Sequence, residues 1–438
     1  MFHVPEPTDR HVCFIPTTVE KWDESEHVMH TGAVQFTSER LYLERKLSEL
    51  SLVENSCGRA SDLPVSPDLL TLLKRKFQSA AACRSTVAQA HWSQTETGWG
   101  APTCETGRFK FDYEYQRADL MVDGPFPYPR LSRMRRLPVT YAASGMAAMS
   151  AVMLAMRRLW PRCYFDLRAG GYPETAELAA ALGAQEGGCR VVVIDSTVDT
   201  PATARLRIKD AHAVIFDTSC FAATSGRIRA IVTLMAQNNR LLVLIRSHTK
   251  LDCLGLEYGR LGSVVVAGGP ADERRVLHAS IADFVRLTGA GALPMHFPPF
   301  AGSARFNALS SARTAWTIRS CRFLERRLRS KTELRTFGHG LYFVMFPRRI
   351  TEKEEARAVA AKLVGEMTRC GIPTRHAGSF GFDFFACDWF EDPASQQMGV
   401  RLSIGDLPSA VVRRAADVIA GWLTASHVAR HNRRPAEA

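Results

Sequence analysis

One lysine with hydroxyl side chains one and three positions before it has the spacing in this chain best suited to covalent chemistry. It is Lys250, in Ser247-His248-Thr249-Lys250, which follows the apolar run Arg240 to Arg246 and precedes Leu251-Asp252-Cys253-Leu254-Gly255. On extended backbone, Ser247 and Thr249 fall on one face and His248 on the other. The two hydroxyls can hydrogen-bond a phosphate while the lysine amine condenses with an aldehyde that the phosphate holds in place. The plainer reading of the same residues is a surface lysine after a buried strand. His248 reads as a packed histidine, not a catalytic one.

Two further stretches suit the same anion. Ser144-Gly145-Met146 opens an alanine-rich helix that runs to Trp160. Unpaired backbone N–H groups at a helix start favour an anion, and glycine lets it come close to the main chain. An ordinary serine cap is the plain alternative. Upstream, Tyr115-Gln116-Arg117 offers a guanidinium that can pair bidentately with phosphate and a phenol that can add a bond.

Taken in order, these pieces resemble the lysine site of pyridoxal-phosphate (PLP) enzymes of the aspartate-aminotransferase fold, fold type I. Within that superfamily they are most similar to the cystathionine γ-synthase/γ-lyase branch, which has a Tyr-x-Arg, a Ser-Gly-Met-Ala-Ala and a Ser-x-Thr-Lys in this sequence. The resemblance spans about residues 100 to 405 and implies roles for more residues. Tyr172, in Gly170-Gly171-Tyr172, would stack on the pyridine ring. Asp217, at the end of Ala213 to Phe216, would keep the pyridine nitrogen protonated, with Asp195 as the competing candidate; Asp217 is favoured. Arg401, in Val400-Arg-Leu-Ser-Ile-Gly405, would take the substrate carboxylate, helped by Ser379 of Gly378-Ser-Phe-Gly381. Tyr115 and Arg117 would reach the phosphate of a neighbouring subunit, which implies a homodimer or homotetramer. The branch's Asn-Pro-Thr and Asp-Asn-Thr motifs are absent, so the resemblance is to a divergent member, as in secondary metabolism.

The implied activity is that of a PLP-dependent lyase or transferase. Its substrate would be an α-amino acid with a γ leaving group, S-adenosylmethionine among the candidates. Lys250 would shuttle protons, and quinonoid and vinylglycine-type intermediates would lead to elimination, replacement or carbon–carbon bond formation. An aminotransferase of the same fold needs the same lysine, aspartate and arginine and is the first alternative. A non-catalytic binding protein of this fold is the second.

The elements that must hold these residues follow from the pattern. Short apolar runs, aromatic at 163–166 and rich in β-branched or aliphatic residues at 190–194, 213–216, 241–245 and 262–267, alternate with helical periods. That pattern predicts an α/β fold: a mainly parallel sheet with helices on both faces, its ligands at the carboxyl ends of the strands. The boundaries expected are an N-terminal extension over 1–100, a large PLP-binding domain over 101–300, a smaller C-terminal α+β domain over 301–430 and a tail over 431–438. Within the extension, helices are expected at 38–53 and 67–82, packed on a partner subunit or over the site. The low-polarity run Tyr141 to Met156 suits a buried helix better than a membrane span, and the helical period itself covers Gly145 to Leu159.

Composition sets the remaining bounds. The chain has 438 residues, 46% of them apolar and 23% charged, which are globular proportions. Its first thirty residues have no apolar stretch of the secretory kind, and no run is apolar enough for a membrane span. Eleven cysteines are scattered singly. That argues against a zinc site or a disulfide scaffold and fits a reducing cytoplasm. The net charge of +12 suits an anionic cofactor and an anionic co-substrate. The basic residues are dispersed, so nucleic acid is not expected as a partner.

Overall fold

The computed structural model describes residues 31–58, 68–91, 103–112, 121–183, 188–347, 349–392 and 397–431. Its centre is a six-stranded sheet in the order β4-β9-β8-β7-β6-β5. The strands are β4 (Val139–Ala142), β5 (Tyr164–Asp166), β6 (Arg190–Asp195), β7 (Ala213–Asp217), β8 (Leu241–Ser247) and β9 (Gly262–Ala267). β5 to β8 run parallel, while β9 is antiparallel to β8 and β4 antiparallel to β9. The architecture is therefore the expected α/β one with a mainly parallel sheet.

β6 to β9 are apolar on both faces because both faces are covered. Helices α3 (Gly145–Leu159) and α7 (Ala271–Leu287) pack on one side, burying Met149, Val152, Met153, Leu277 and Ile281 against Val191, Val243 and Val264. Helices α5 (Pro201–Arg207) and α6 (Gly226–Gln237) cover the other, where Ala204, Ile228 and Ile231 meet Val192, Val214 and Leu244. Between β5 and β6 lies α4 (Pro173–Leu182). The helix expected over Gly145 to Leu159 is α3; β4 ends just before it at Ala142, and Ser144 caps it by accepting the Ala147 N–H at 3.0 Å. A serine followed by glycine stops one element and starts the other.

A second, five-stranded sheet has the order β10-β11-β14-β13-β12. Its strands are β10 (Glu333–Phe337), β11 (Tyr342–Phe346), β12 (Thr374–His376), β13 (Phe385–Glu391) and β14 (Met398–Ser403). Helices α8 (Ala304–Leu328), α9 (Lys353–Arg369) and α10 (Ser409–His431) bury Leu324, Leu363 and Ile419 against Phe343, Val400 and Leu402. A small antiparallel sheet of β1 (Thr103–Thr106), β2 (Phe109–Asp112) and β3 (Met121–Asp123) adds an aromatic cluster in which Phe109 and Phe111 pack on Phe297.

The N-terminal helices α1 (Thr31–Cys57) and α2 (Leu69–His91) are longer than the pattern predicts. They pack on their own chain: Val53 and Ala80 meet Leu254, Phe306 and Leu309. A disulfide, Cys57–Cys83, joins them. The scattered cysteines gave no sign of it, since the pairing depends on two helices lying side by side. No helix among the described residues is long and apolar enough to cross a membrane.

Candidate functional site

The site is assembled where β6, β7 and β8 end. Asp195 and Asp217 are register partners in the β6–β7 pairing, so their carboxylates leave the sheet at one level. Asp195 spends its oxygens on backbone: Oδ2 accepts the Tyr172 N–H at 2.6 Å and Oδ1 the Thr197 N–H at 2.7 Å. Asp217 accepts the Ser219 N–H on Oδ1 at 2.8 Å, and the Ser219 side chain also bonds its carboxylate. Burial, reinforced by the Asp195 charge, pushes Asp217 up to about 6. Asp217, held by Ser219 and facing the Lys250 charge, is the carboxylate placed to meet a positive group, and Asp195 is the one that holds the Tyr172 turn.

The end of β8 is locked from beneath. Arg246, fully buried, forks onto Asp252 at 2.5 and 2.7 Å and donates to the carbonyls of Thr218 and Phe221. Asp252 also meets His248 Nδ1 at 2.8 Å, and His248 Nε2 lies 2.8 Å from Ser263 Oγ. His248 is therefore a packed, doubly bonded histidine facing away from Lys250. The Ser247 N–H donates to Ser219 Oγ at 2.9 Å, tying the ends of β7 and β8 together.

Ser247 in turn lies against the start of α3. A Cβ on Gly145 would sit 2.7 Å from Ser247 Cβ, and one on Gly262 would sit 2.2 Å from the Ser144 carbonyl oxygen. The chain meets both crowded contacts with glycine. The result is a cradle of the α3 N-terminus (Ser144, Gly145, Met146), the Ser247 hydroxyl and the nearby Thr249. Its donors suit a phosphate.

Lys250 follows on the turn after β8. Its Nζ lies 4.8 Å from the centre of the Phe380 ring and 5.2 Å from that of Tyr172. Burial, then the Arg401 charge, lowers the amine below the ordinary lysine range. Lowering favours the neutral, nucleophilic form. Tyr172, at the N-terminus of α4, keeps its proton: burial and the Glu174 carboxylate bonded to its hydroxyl push its ionisation up.

Arg401 comes from β14. Its guanidinium lies 4.1 Å from the centre of the Tyr342 ring, and its Nε is buried with no hydrogen-bond partner among the described residues. An orphaned, buried guanidinium N–H beside the lysine calls for an anion from outside the chain. Ser379 precedes Phe380 in the loop that covers Lys250, where a Cβ on Gly381 would sit 2.6 Å from the Lys250 carbonyl oxygen.

The contacts link Gly145 to Ser247, and Tyr172, Asp217 and Arg401 to Lys250; Ser144 and Met146 flank Gly145, Thr249 adjoins Lys250 and Ser379 adjoins Phe380 in the sequence. Tyr115 and Arg117 lie outside the described residues. The sequence reading missed the Arg246–Asp252 lock and the aromatic wall of Phe380, Tyr342 and Phe337, whose successive rings are near-parallel. Phe380 could have been found as the neighbour of Ser379. Tyr342 carries no local signal, because only strand pairing brings it under Arg401.

No protein-family model matches the sequence, and no curated protein matches it. Solved structures do resemble the fold. An apo methionine gamma lyase from Micromonospora echinospora is 17% identical with a TM-score of 0.46, over 67% of this chain and 83% of that one. An alanine aminotransferase from Pyrococcus furiosus is 11% identical with a TM-score of 0.47, over 69% and 82%. An aromatic-amino-acid aminotransferase from Burkholderia pseudomallei, covalently bound to pyridoxal phosphate, is 14% identical with a TM-score of 0.46, over 84% and 98%.

Proposed function

We propose that this chain is a PLP-dependent enzyme that acts on an α-amino acid. The observation that carries the reading is the convergence on the buried Lys250 amine of three complementary groups: the buried carboxylate of Asp217, the Arg401 guanidinium with its unpartnered Nε and the glycine-floored cradle of Ser247. These groups fit the cofactor. Ser247, Thr249 and the N–H groups from Gly145 onward would hold its phosphate, Asp217 would keep a proton on its ring nitrogen, and Tyr172 would cover its ring. Bound there, PLP supplies an electron sink for a negative charge at the substrate Cα.

The residues then divide the work. Arg401 grips the substrate carboxylate through its fork, with Ser379 beside it. Lys250, whose burial favours the neutral amine, takes the proton from Cα. Tyr172, protonated and bonded to Glu174, has its ring centre 5.2 Å from the Lys250 amine, within reach of a departing group. Within the class we favour removal or replacement of a γ substituent, because this protonated phenol sits against the lysine that must move protons between Cα and Cβ. Amino transfer, the alternative, gives that phenol no proton to deliver. Tyr115 and Arg117 belong to the same proposal as phosphate ligands supplied across a homodimer or homotetramer interface, and the chain's positive charge suits an anionic co-substrate.

The test is product analysis with γ-substituted amino acids. Release of the γ group supports the reading, whether ammonia and a 2-oxo acid or a replaced amino acid accompany it. Stoichiometric amino transfer to an added 2-oxo acid, with the side chain intact, would instead establish an aminotransferase.

A further inference from the structure

On the far side of the β8 end from Lys250 lies a second cavity, of about 450 Å³. This is in the range of small-molecule sites, roughly 300–1,000 Å³. Its walls are aromatic and apolar, with Phe109, Phe126, Tyr141 and Phe306 among them, and its floor is the His248–Asp252 pair. Both floor groups are already satisfied, by Arg246 and Ser263 as well as by each other. Two arginines stand at the exposed rim, Arg108 and Arg135, and neither is ion-paired with a described residue.

Apolar walls with two uncompensated cations at the mouth define a complement: a ring-sized apolar body carrying one anionic group. We propose that this cavity is a second ligand site, separate from the Lys250 site, for such an amphipathic anion, whether carboxylate, sulfonate or phosphate ester. The body would lie against Phe109 and Tyr141, and the anion would face Arg108 and Arg135. Because His248 and Asp252 belong to the turn that presents Lys250, an occupant would touch that turn from behind.

Anilinonaphthalene sulfonate, an aromatic anion that fluoresces in apolar surroundings, is the probe. Titrated into the protein saturated with PLP, it should bind saturably at one site per chain, and Lys250→Ala should leave that site intact. Ala304→Trp, at an exposed position lining the cavity, should abolish binding by filling it. Arg108→Glu, also exposed, should weaken binding roughly two- to fivefold, the scale of surface charge pairs. Binding that is absent, or unchanged in both cavity variants, overturns the proposal. So does a signal that appears only as the protein is diluted, since a second copy of the chain would then be what closes the cavity. Loss of the signal in Lys250→Ala alone would place the probe in the other site and likewise overturn it.

Discussion

Arg401 and Asp217 are held in states that a structural role alone does not explain. Arg401→Ala removes a guanidinium whose buried Nε has no partner among the described residues. It should raise KM for the amino acid about 10²-fold or more, as loss of a buried charged partner does, with the cofactor spectrum kept. A KM unchanged in steady-state assays would remove Arg401 from substrate binding. Asp217 trades stability for function. Its pKa rises from 3.8 unfolded to about 6 folded, so between those values the folded state holds a proton that the unfolded state has lost. Its contribution is fully present below 3.8 and is lost as pH rises through 6. Without cofactor, Asp217→Asn should therefore be more stable than the parent near neutral pH, on the order of 2 kcal/mol by urea denaturation, while its turnover falls about 10²- to 10³-fold. A variant less stable at neutral pH would contradict that account. At this scale the sequence shows what is contiguous. Ser247, Thr249 and Lys250 declare themselves by spacing, and so does the Ser144-Gly145 start. The division of labour between Asp195 and Asp217 does not, because it depends on which carboxylate the Tyr172 turn captures.

Among the elements, α1 and α2 do more than extend the chain. They carry Arg45, Lys46, Glu49 and Lys76 into a buried ionic cluster with Arg313 of α8, Asp383 and Asp406. Glu49, Asp383 and Asp406 converge as metal ligands would, but the Lys46 and Lys76 ammonium groups bond them directly. The cluster reaches the candidate site twice. Lys76 donates to the Leu254 carbonyl in the turn after Lys250, and Arg313 donates at 2.9 Å to the Gly381 carbonyl in the loop above it. Arg313 and the two lysines hold Asp383 well below the usual carboxylate range despite its burial. Its contribution to stability is therefore present above 3.8 and is lost only as acid reaches the depressed folded value. Asp383→Asn leaves buried cations uncompensated and should cost about 3–5 kcal/mol in urea denaturation. It should also weaken cofactor retention. A change below about 1 kcal/mol would mean that the cluster is solvated in solution. Sequence periodicity finds the elements that alternate, as at β6 to β9 and α3. It misses β1 to β3, α5 and α7, which are short or strongly charged, and it cannot see a cluster whose members lie over 300 residues apart.

For the molecule as a whole, two sheets and the N-terminal helix pair surround a single lysine. The β6–β8 ends supply Asp217 and the Ser247 cradle, and β14 with the loop before β13 supplies Arg401, Phe380 and Ser379. Neither sheet alone completes the site, which is why its pieces are spread along the chain from Ser144 to Arg401. The order of those pieces was legible in the sequence, while the aromatic wall between the sheets required the packed structure. The central claim concerns one amine and one aldehyde. The most direct measurement is to mix the protein with PLP, reduce with borohydride and map the modified peptide by mass spectrometry. The account predicts absorbance near ~420 nm before reduction and a pyridoxyl group on Lys250 afterwards, both missing in Lys250→Ala. An unmodified Lys250, or a label carried equally by surface lysines, would contradict it.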